Sequence, residues 1–196
     1  MIDQAIIFAF VAHKGMIRKG NDQPYILHPI EVMSLVSLMS DDEEILAAAV
    51  LHDTVEDTKT SIETIRLKFG ERIAKLVSYE TEDKRDNVDK DRTWLIRKQE
   101  TIDRISKADD IGAKMICLAD KVSNLRSFRL GLFDEGEAFF DRFNQKDPKM
   151  HYWYFDELRK ALMDLKDYSV YKEYCSLIDL IFGKYRETEM KHEKHF

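Results

Sequence analysis

Four ionisable side chains lie within six residues of the chain, directly after an apolar run. His52, Asp53, Glu56 and Asp57 follow residues 45–51, none of which is polar. Helix propensity does not explain this group, because Asp and Thr are mediocre helix formers. So many ionisable groups close together need a compensating cation or abundant solvent. The spacing therefore indicates a helix end that holds a divalent metal ion with a water molecule beside it.

Two further residues with metal-binding side chains come from separate segments. His28 precedes Pro29, and Asp120 lies at the polar edge of an apolar helical segment. Together with His52 and Asp53 they supply two imidazoles and two carboxylates. Such a mixed set suits Mn²⁺, Fe²⁺ or Zn²⁺ better than Mg²⁺, which prefers oxygen ligands. Adjacent His and Asp side chains serve one ion only where a helix end lets both turn inward.

Glu56 and Asp57 lie about one turn beyond the His-Asp pair. On a continuing helix each of them stands four residues after one member of that pair. This spacing favours a position near the metal without making them ligands of first choice, and such carboxylates orient or deprotonate a water molecule. Asn124, one turn after Asp120 on the same face, is a candidate to bind a substrate hydroxyl or to orient Asp120.

Each of these residues also has an ordinary structural interpretation. Alone, His52 reads as a helix-end histidine, the Glu56-Asp57 pair as a solvated turn, and Asp120 as a surface residue of an amphipathic helix. The combination favours function, because the candidate ligands follow one another in separate helical segments.

The bulk composition bounds the class of protein. The chain has 196 residues, a formal net charge of −6 and two cysteines, Cys117 and Cys175, each in an apolar run. This length fits one domain and buries a core without disulfides. The acidic balance argues against a nucleic-acid partner, although an anionic small molecule needs only a local positive site. No signal peptide or transmembrane stretch is visible, so we expect a cytoplasmic protein with no membrane partner.

Helical periodicity dominates the chain, and seven glycines and three prolines leave few breaks. We expect one all-α domain over residues 1–183 and a flexible tail over 184–196, with the last helix ending near Phe182. Residues 130–145 read as a loop with a helical turn. Local signals predict further helix boundaries: N-caps at Asp41 or Asp42 and at Asp109 or Asp110, Pro29 as a first helical residue, a capping box over residues 60–63, and a stop at Gly70.

The order of these residues resembles that of the HD-domain metal-dependent phosphohydrolases, in which His, His-Asp and Asp follow one another. The match is closer to the hydrolase domain of the RelA/SpoT family, over about residues 5–130. The short length resembles the single-domain members of that family, the small alarmone hydrolases. The resemblance is carried by Arg18-Lys19, Pro24-Tyr25-Ile26-Leu27-His28-Pro29, Leu51-His52-Asp53-Thr54-Val55-Glu56-Asp57-Thr58, Lys68-Phe69-Gly70 and Leu118-Ala119-Asp120-Lys121-Val122-Ser123-Asn124-Leu125-Arg126.

The resemblance implies an all-α HD-domain phosphohydrolase fold and a specific reaction. Members of the family remove pyrophosphate from the 3′ position of guanosine tetra- or pentaphosphate, (p)ppGpp, leaving GDP or GTP. The resemblance also implies one Mn²⁺ ion per site. It assigns residues to roles as follows: metal binding to His28, His52, Asp53 and Asp120, water activation to Glu56 and Asp57, the base pocket to Arg18 and Lys19, and the ribose side to Asn124.

Departures from the family pattern leave other functions open. The loop over residues 20–23 differs in length and composition from its usual counterpart, which leaves the purine specificity open. Alternative substrates are the adenosine analogue (p)ppApp, NADPH or a nucleoside 5′-monophosphate, and a catalytically idle nucleotide sensor is the rival from another class. A homo-oligomer also stays open. A basic residue should neutralise the distal phosphate, with candidates Lys84, Arg85, Lys121, Arg126 and Lys149.

Overall fold

The computed structural model describes the backbone of residues 1–18, 23–83, 85 and 90–192, and their side chains except those of 90–92 and 186–192. These residues form ten α-helices: α1 (Ile2–Ala12), α2 (Leu27–Val36), α3 (Glu43–Leu51), α4 (Thr54–Asp57), α5 (Ile62–Phe69), α6 (Glu71–Glu80), α7 (Lys90–Ser106), α8 (Ile111–Glu135), α9 (Pro148–Ala161) and α10 (Ser169–His192). Short 3₁₀ helices follow α8 (Gly136–Arg142) and α9 (Met163–Leu165).

The predicted all-α class is confirmed. Within the described ranges no strand forms, and the only strand-like pairing is an isolated antiparallel bridge between Ile17 and Pro24. The helices share one hydrophobic core, so the described residues make a single helical domain. None of the helices in this part of the chain is both long and apolar enough to cross a membrane.

Helices α3 and α8 form the centre of the domain. Residues 47–51 of α3 are completely buried, and three consecutive alanines let α1, α2 and α6 pack closely against this helix. Residues 112–123 of α8 are all buried, and α8 contacts α2, α3, α6, α7 and α10. A helix that is covered on every side normally carries apolar residues all round. A polar side chain there, such as Asp120, marks a place where the core borders a site.

Aspartate N-caps fix the starts of these two central helices, as the sequence predicts. Asp42 accepts a hydrogen bond from the N–H of Glu44, and Asp110 accepts one from the N–H of Gly112, each at 2.9 Å. Arg72 on α6 lies 2.7 Å from Asp42 and 2.9 Å from Asp110. One guanidinium therefore ties the two caps together and sets how α3 and α8 begin relative to each other.

Two predicted helix starts are displaced. Pro29 is the third residue of α2 rather than the first. Proline is tolerated throughout the first turn, because the N–H groups there have no intrahelical acceptor. Helix α5 is capped by Ser61, whose Oγ accepts the N–H of Thr64 at 3.1 Å, so the box predicted over residues 60–63 is out of register by one residue. Gly70 ends α5 as predicted, with a φ of 98° that favours glycine.

Helices α8 and α10 are longer than the sequence predicts. Helix α8 continues to Glu135, through part of the segment predicted as a loop. Helix α10 continues to His192 instead of ending near Phe182. The first residues after Phe182 contact the domain, since Lys184 Nζ lies 2.5 Å and the Tyr185 hydroxyl 3.1 Å from Glu137. The division into a domain over 1–183 and a tail over 184–196 stays a prediction.

Candidate functional site

The junction between α3 and α4 brings His52 and Asp53 to one place. Helix α3 ends at Leu51 and α4 begins at Thr54, so the two residues form the break between the helices. The Thr54 hydroxyl donates to the Leu51 carbonyl at 2.6 Å, and the Asp57 N–H donates to the Asp53 carbonyl at 2.9 Å. These bonds fix a break at which adjacent side chains turn to the same side, which is the condition that the sequence sets for shared metal binding.

Four side-chain atoms from α2, this junction and α8 converge. His28 Nε2 lies 3.1 Å from Asp120 Oδ1 and 3.5 Å from Asp53 Oδ2. His52 Nε2 lies 3.1 Å from Asp53 Oδ2 and 3.8 Å from Asp120 Oδ1. Ligand atoms that each lie about 2.0–2.2 Å from one metal ion are about 3.0–3.5 Å apart. These four His–Asp distances are close to those within a single coordination shell, and the ligand atoms of His28, His52 and Asp120 all lie within 4.8 Å of one another.

A hydrogen bond to Nδ1 holds each histidine and leaves its Nε2 available. His52 Nδ1 donates to the Ala49 carbonyl at 2.8 Å. His28 Nδ1 lies 2.8 Å from Ser123 Oγ, and that hydroxyl donates to Glu31 Oε2 at 2.6 Å. A serine hydroxyl has one proton, which the Glu31 carboxylate accepts, so His28 Nδ1 is the donor to Ser123. The neutral form of each ring then carries its lone pair on Nε2, which faces the cluster.

The two histidines of this group differ in charge preference, since burial lowers the pKa of His28 whereas the carboxylates favour a positive charge on His52. Burial disfavours the charged form of His52, but Asp53 and Asp120 outweigh this effect and raise the pKa of His52 to about 9. Burial also disfavours ionised Asp53, yet His52 and His28 hold the pKa of that carboxyl below its usual range. His52 Nε2 is buried and has no hydrogen bond of suitable angle. A cation among these atoms satisfies that nitrogen and both carboxylates, so the residues fit a divalent metal.

Glu56 and Asp57 lie beside this group, and each is held by a different bond. Glu56 Oε2 accepts the N–H of Glu82 at 3.0 Å. The Tyr25 hydroxyl lies 2.6 Å from Asp57 Oδ2 and 2.6 Å from Asp53 Oδ2, so one phenol links a candidate ligand to a candidate base. Burial raises the pKa of Glu56 to about 7, which suits a group that accepts a proton near neutral pH.

The residues predicted to contact a nucleotide are joined to the same group. Arg18 donates to Asn124 Oδ1 at 2.7 Å, and Asn124 Nδ2 donates to Asp120 Oδ1 at 2.7 Å. Asn124 therefore orients Asp120, which is one of the two roles that its spacing on the helix predicts. Lys19, the other residue predicted for the base pocket, lies outside the described residues.

A cavity of about 720 Å³ opens beside these side chains. Its volume lies in the range of small-molecule sites. Of the predicted site residues that the structure describes, all but His52 line it, and His52 is 1 % exposed. The wall also includes residues that the sequence did not single out for this site, namely Tyr25, Glu31, Glu80, Glu82, Arg97 and Lys98.

Some of these additional residues had a signal in the sequence and others had none. Tyr25 stands three residues before His28, so its spacing from a predicted ligand could have identified it. The same holds for Ser123, the partner of His28 Nδ1, which stands three residues after Asp120. Glu82 follows α6, and Arg97 lies on α7. Their place at the cavity depends on how these helices pack, which no local pattern reports.

The candidates for a distal phosphate are mostly engaged by carboxylates. Lys121 pairs with Asp120, Arg126 lies 2.8 Å from Glu31 and 2.7 Å from Glu173, and Arg85 lies 2.5 Å from Glu100. Lys149 is exposed and does not line the cavity, and Lys84 lies outside the described residues.

Comparison with known families identifies the fold. A family model described as an HD domain matches residues 5–135. The chain belongs to the HD domain family. The matched span of this HD domain contains every site residue predicted from the sequence, from Arg18 to Asn124.

Individual relatives narrow the comparison. The HD domain is 38% identical over 122 residues to guanosine-3′,5′-bis(diphosphate) 3′-pyrophosphohydrolase MESH1 of Mus musculus, covering 60% of this chain and 64% of the mouse protein. It is 36% identical over 129 residues to the probable enzyme of that name from Synechocystis, covering 65% of this chain and 16% of that protein. The chain thus spans less than two thirds of the length of either relative.

Solved structures extend the likeness beyond the matched family region. A structure described as a metazoan orthologue of SpoT that hydrolyses ppGpp superposes with a TM-score of 0.70 at 27% identity, covering 93% of this chain and 94% of that one. A protein from Listeria monocytogenes superposes with a TM-score of 0.69 at 27% identity, covering 82% and 97%. The predicted resemblance to RelA/SpoT-type hydrolase domains is confirmed.

Proposed function

We propose that this HD domain hydrolyses the 3′-diphosphate of (p)ppGpp, releasing pyrophosphate and GDP or GTP. The observation that carries the proposal is that one cavity is lined by three predicted ligands, by both candidate bases and by the Arg18–Asn124 pair. The mouse enzyme and the SpoT orthologue bear names with this activity, which supports carrying it over.

The proposed cofactor is one Mn²⁺ ion, held by His28, His52, Asp53 and Asp120. When bound, such an ion lowers the pKa of water and offsets negative charge on a phosphoryl group. The mixed set of imidazoles and carboxylates supports Mn²⁺ over Mg²⁺. Further support comes from the Nδ1 hydrogen bonds of His28 and His52, which leave both Nε2 atoms facing the carboxylates.

The protein's own residues handle the water and the substrate. Glu56 and Asp57 orient a water molecule for attack on the phosphorus that is bonded to the ribose 3′ oxygen, and they accept its proton. The new P–O bond forms as the bond from phosphorus to the 3′ oxygen breaks, and that oxygen takes up a proton. Arg18 and Lys19 hold the purine, whereas Asn124 contacts the ribose and orients Asp120.

A substrate panel tests this proposal directly. The protein is incubated with Mn²⁺ and equal concentrations of ppGpp, its adenosine analogue, NADPH or deoxynucleoside 5′-monophosphates, and released pyrophosphate or phosphate is measured. We expect pyrophosphate from ppGpp at the highest rate. Faster turnover of another compound in the panel would make that compound the substrate. Tight binding of these nucleotides without turnover of any of them would establish the nucleotide sensor instead.

Substitutions distinguish the residues proposed to activate water from those proposed to bind the metal. Glu56→Gln and Asp57→Asn should abolish turnover while the metal content stays near one ion per chain. His52→Ala and Asp53→Ala should lose the metal itself. Loss of metal from the Glu56 or Asp57 variant would place that residue among the ligands and contradict the proposed division.

A further inference from the structure

The cations that line the cavity differ in how their charge is balanced. Lys121 pairs with Asp120 and lies 3.5 Å from Glu80, so one ammonium faces two carboxyl groups. Arg126 likewise lies between Glu31 and Glu173. These two cations therefore have no surplus positive charge to offer an anionic ligand.

The opposite balance holds for a group on the Glu56 side of the cavity. Glu82 Oε2 lies 2.8 Å from Arg97, and its Oε1 lies 2.7 Å from Lys98, so two cations share one carboxylate. We call Glu82, Arg97 and Lys98 the cationic triad, and its formal charge is +1. All three side chains line the cavity. The Lys98 ammonium also lies 4.9 Å from the centre of the Tyr154 ring, which helps to keep it in place.

The cationic triad is adjacent to the proposed chemistry. The backbone N–H of Glu82 is the group that donates to Glu56 Oε2 at 3.0 Å. A surplus positive charge therefore lies beside a carboxylate that we expect to handle the water, and it faces the same cavity as the converging ligand atoms. A guanidinium and an ammonium side by side suit the several oxygens of a terminal phosphate.

We propose that Arg97 and Lys98 form a subsite for the terminal phosphate of the 3′-diphosphate, and for the pyrophosphate released from it. The assignment rests on the proposed function for its place in the reaction. The subsite itself recognises a diphosphate by the charge and the hydrogen bonds of Arg97 and Lys98, and Glu82 between them offsets only part of their charge. Neither cation belongs to the set that the sequence suggested for this role.

Binding of inorganic pyrophosphate is the direct test. Calorimetric titration at a fixed free Mn²⁺ concentration gives its dissociation constant for wild type and variants, and circular dichroism confirms folding. We expect Lys98→Met and Arg97→Met each to weaken pyrophosphate binding about 10- to 100-fold, the range for a lost charge-assisted hydrogen bond. The charge-preserving Arg97→Lys should stay within about threefold of wild type. Because Lys98→Met and Arg97→Met probe the two cations separately, either one keeps the test informative if the other does not fold.

Two matched variants separate ligand binding from structural support. Lys75→Met removes an exposed lysine on α6 that pairs with Asp109 outside the cavity, and it should leave pyrophosphate binding within about twofold. Glu82→Gln keeps the backbone N–H but raises the charge of the triad, so binding should be unchanged or tighter. If Glu82→Gln weakens binding as much as Lys98→Met, or if Lys98→Met stays within twofold, the subsite is refuted.

The design separates this inference from the proposed function. Pyrophosphate binding that depends on Lys98, without turnover of ppGpp by the wild type, would refute the function and leave the subsite standing. Turnover of ppGpp by the wild type, with pyrophosphate binding independent of Lys98, would refute the subsite alone.

Discussion

Replacing Ser123 with alanine tests how the fold prepares His28 for a metal ion. Ser123 is completely buried on α8, and its hydroxyl accepts from His28 Nδ1 at 2.8 Å and donates to Glu31 at 2.6 Å. Alanine removes both bonds. His28 then loses the partner that fixes its protonated nitrogen and the orientation of its ring.

The structure sets the size of the expected effect. Loss of the partner behind a metal-binding histidine weakens metal affinity about 10- to 100-fold, which corresponds to about 1.4–2.7 kcal/mol. Glu31 keeps its contact with Arg126 at 2.8 Å, so its carboxylate is not left without a partner. We therefore expect the free energy of unfolding of the metal-free protein to fall by only about 1–2 kcal/mol.

A Mn²⁺ titration with a competing chelator measures the affinity, and urea unfolding of metal-free protein measures the stability. Ser78→Ala is the control, because Ser78 is an exposed serine whose hydroxyl donates to the Lys75 carbonyl at 2.6 Å. The control should bind Mn²⁺ within twofold of wild type. A folded Ser123→Ala protein with the same metal affinity as the control would refute the argument that this hydroxyl prepares His28.

Other perturbations probe the cavity, the packing and the metal. Tyr25→Phe removes the hydroxyl shared by two carboxylates and should lower turnover of ppGpp about 10- to 100-fold, whereas Tyr79→Phe, at an exposed hydrogen bond, should not change it. Gly131→Ala places a methyl group 2.1 Å from the Phe139 ring and should lower the free energy of unfolding by about 1–3 kcal/mol in urea. Gly183→Ala, in open space within α10, should raise it by about 0.5–1 kcal/mol. Free Mn²⁺ at a hundred times its dissociation constant should stabilise the fold by about 2.7 kcal/mol, and an unchanged melting temperature after chelation would contradict the metal site.

Local signals in the sequence predict the fold well where a local interaction decides the outcome. Asp42 and Asp110 cap their helices because each side chain reaches an N–H two residues ahead. The apolar run that ends at Leu51 predicts the buried helix α3, because a helix that is apolar all round is covered on every side. Pro29 lies two residues from its predicted position, because the whole first turn of a helix accepts proline.

The candidate site likewise contains residues that the sequence predicts and residues whose place depends on helix packing. The four predicted ligands converge in the structure. They could be predicted because their order in the chain distinguishes them from isolated His and Asp residues. The sequence does not predict a role for Glu82 or Arg97, because an ion pair between the segment after α6 and the middle of α7 leaves no pattern in either segment. Such residues become visible only when the packing of helices is known.

The two halves of the site are held with different firmness. His28 lies on α2 and Asp120 on α8. His28 Nδ1 is bonded to the buried hydroxyl of Ser123, and His52 Nδ1 to the buried carbonyl of Ala49. These atoms are fixed by the core before any ligand arrives. Glu56 and Asp57 lie on α4, a helix of four residues, where Asp57 contacts the Tyr25 hydroxyl and Glu56 accepts the backbone N–H of Glu82. The predicted ligands His28 and Asp120 are thus set by the packing of long helices, whereas the carboxylates proposed to handle the water lie on a short helix beside the cavity.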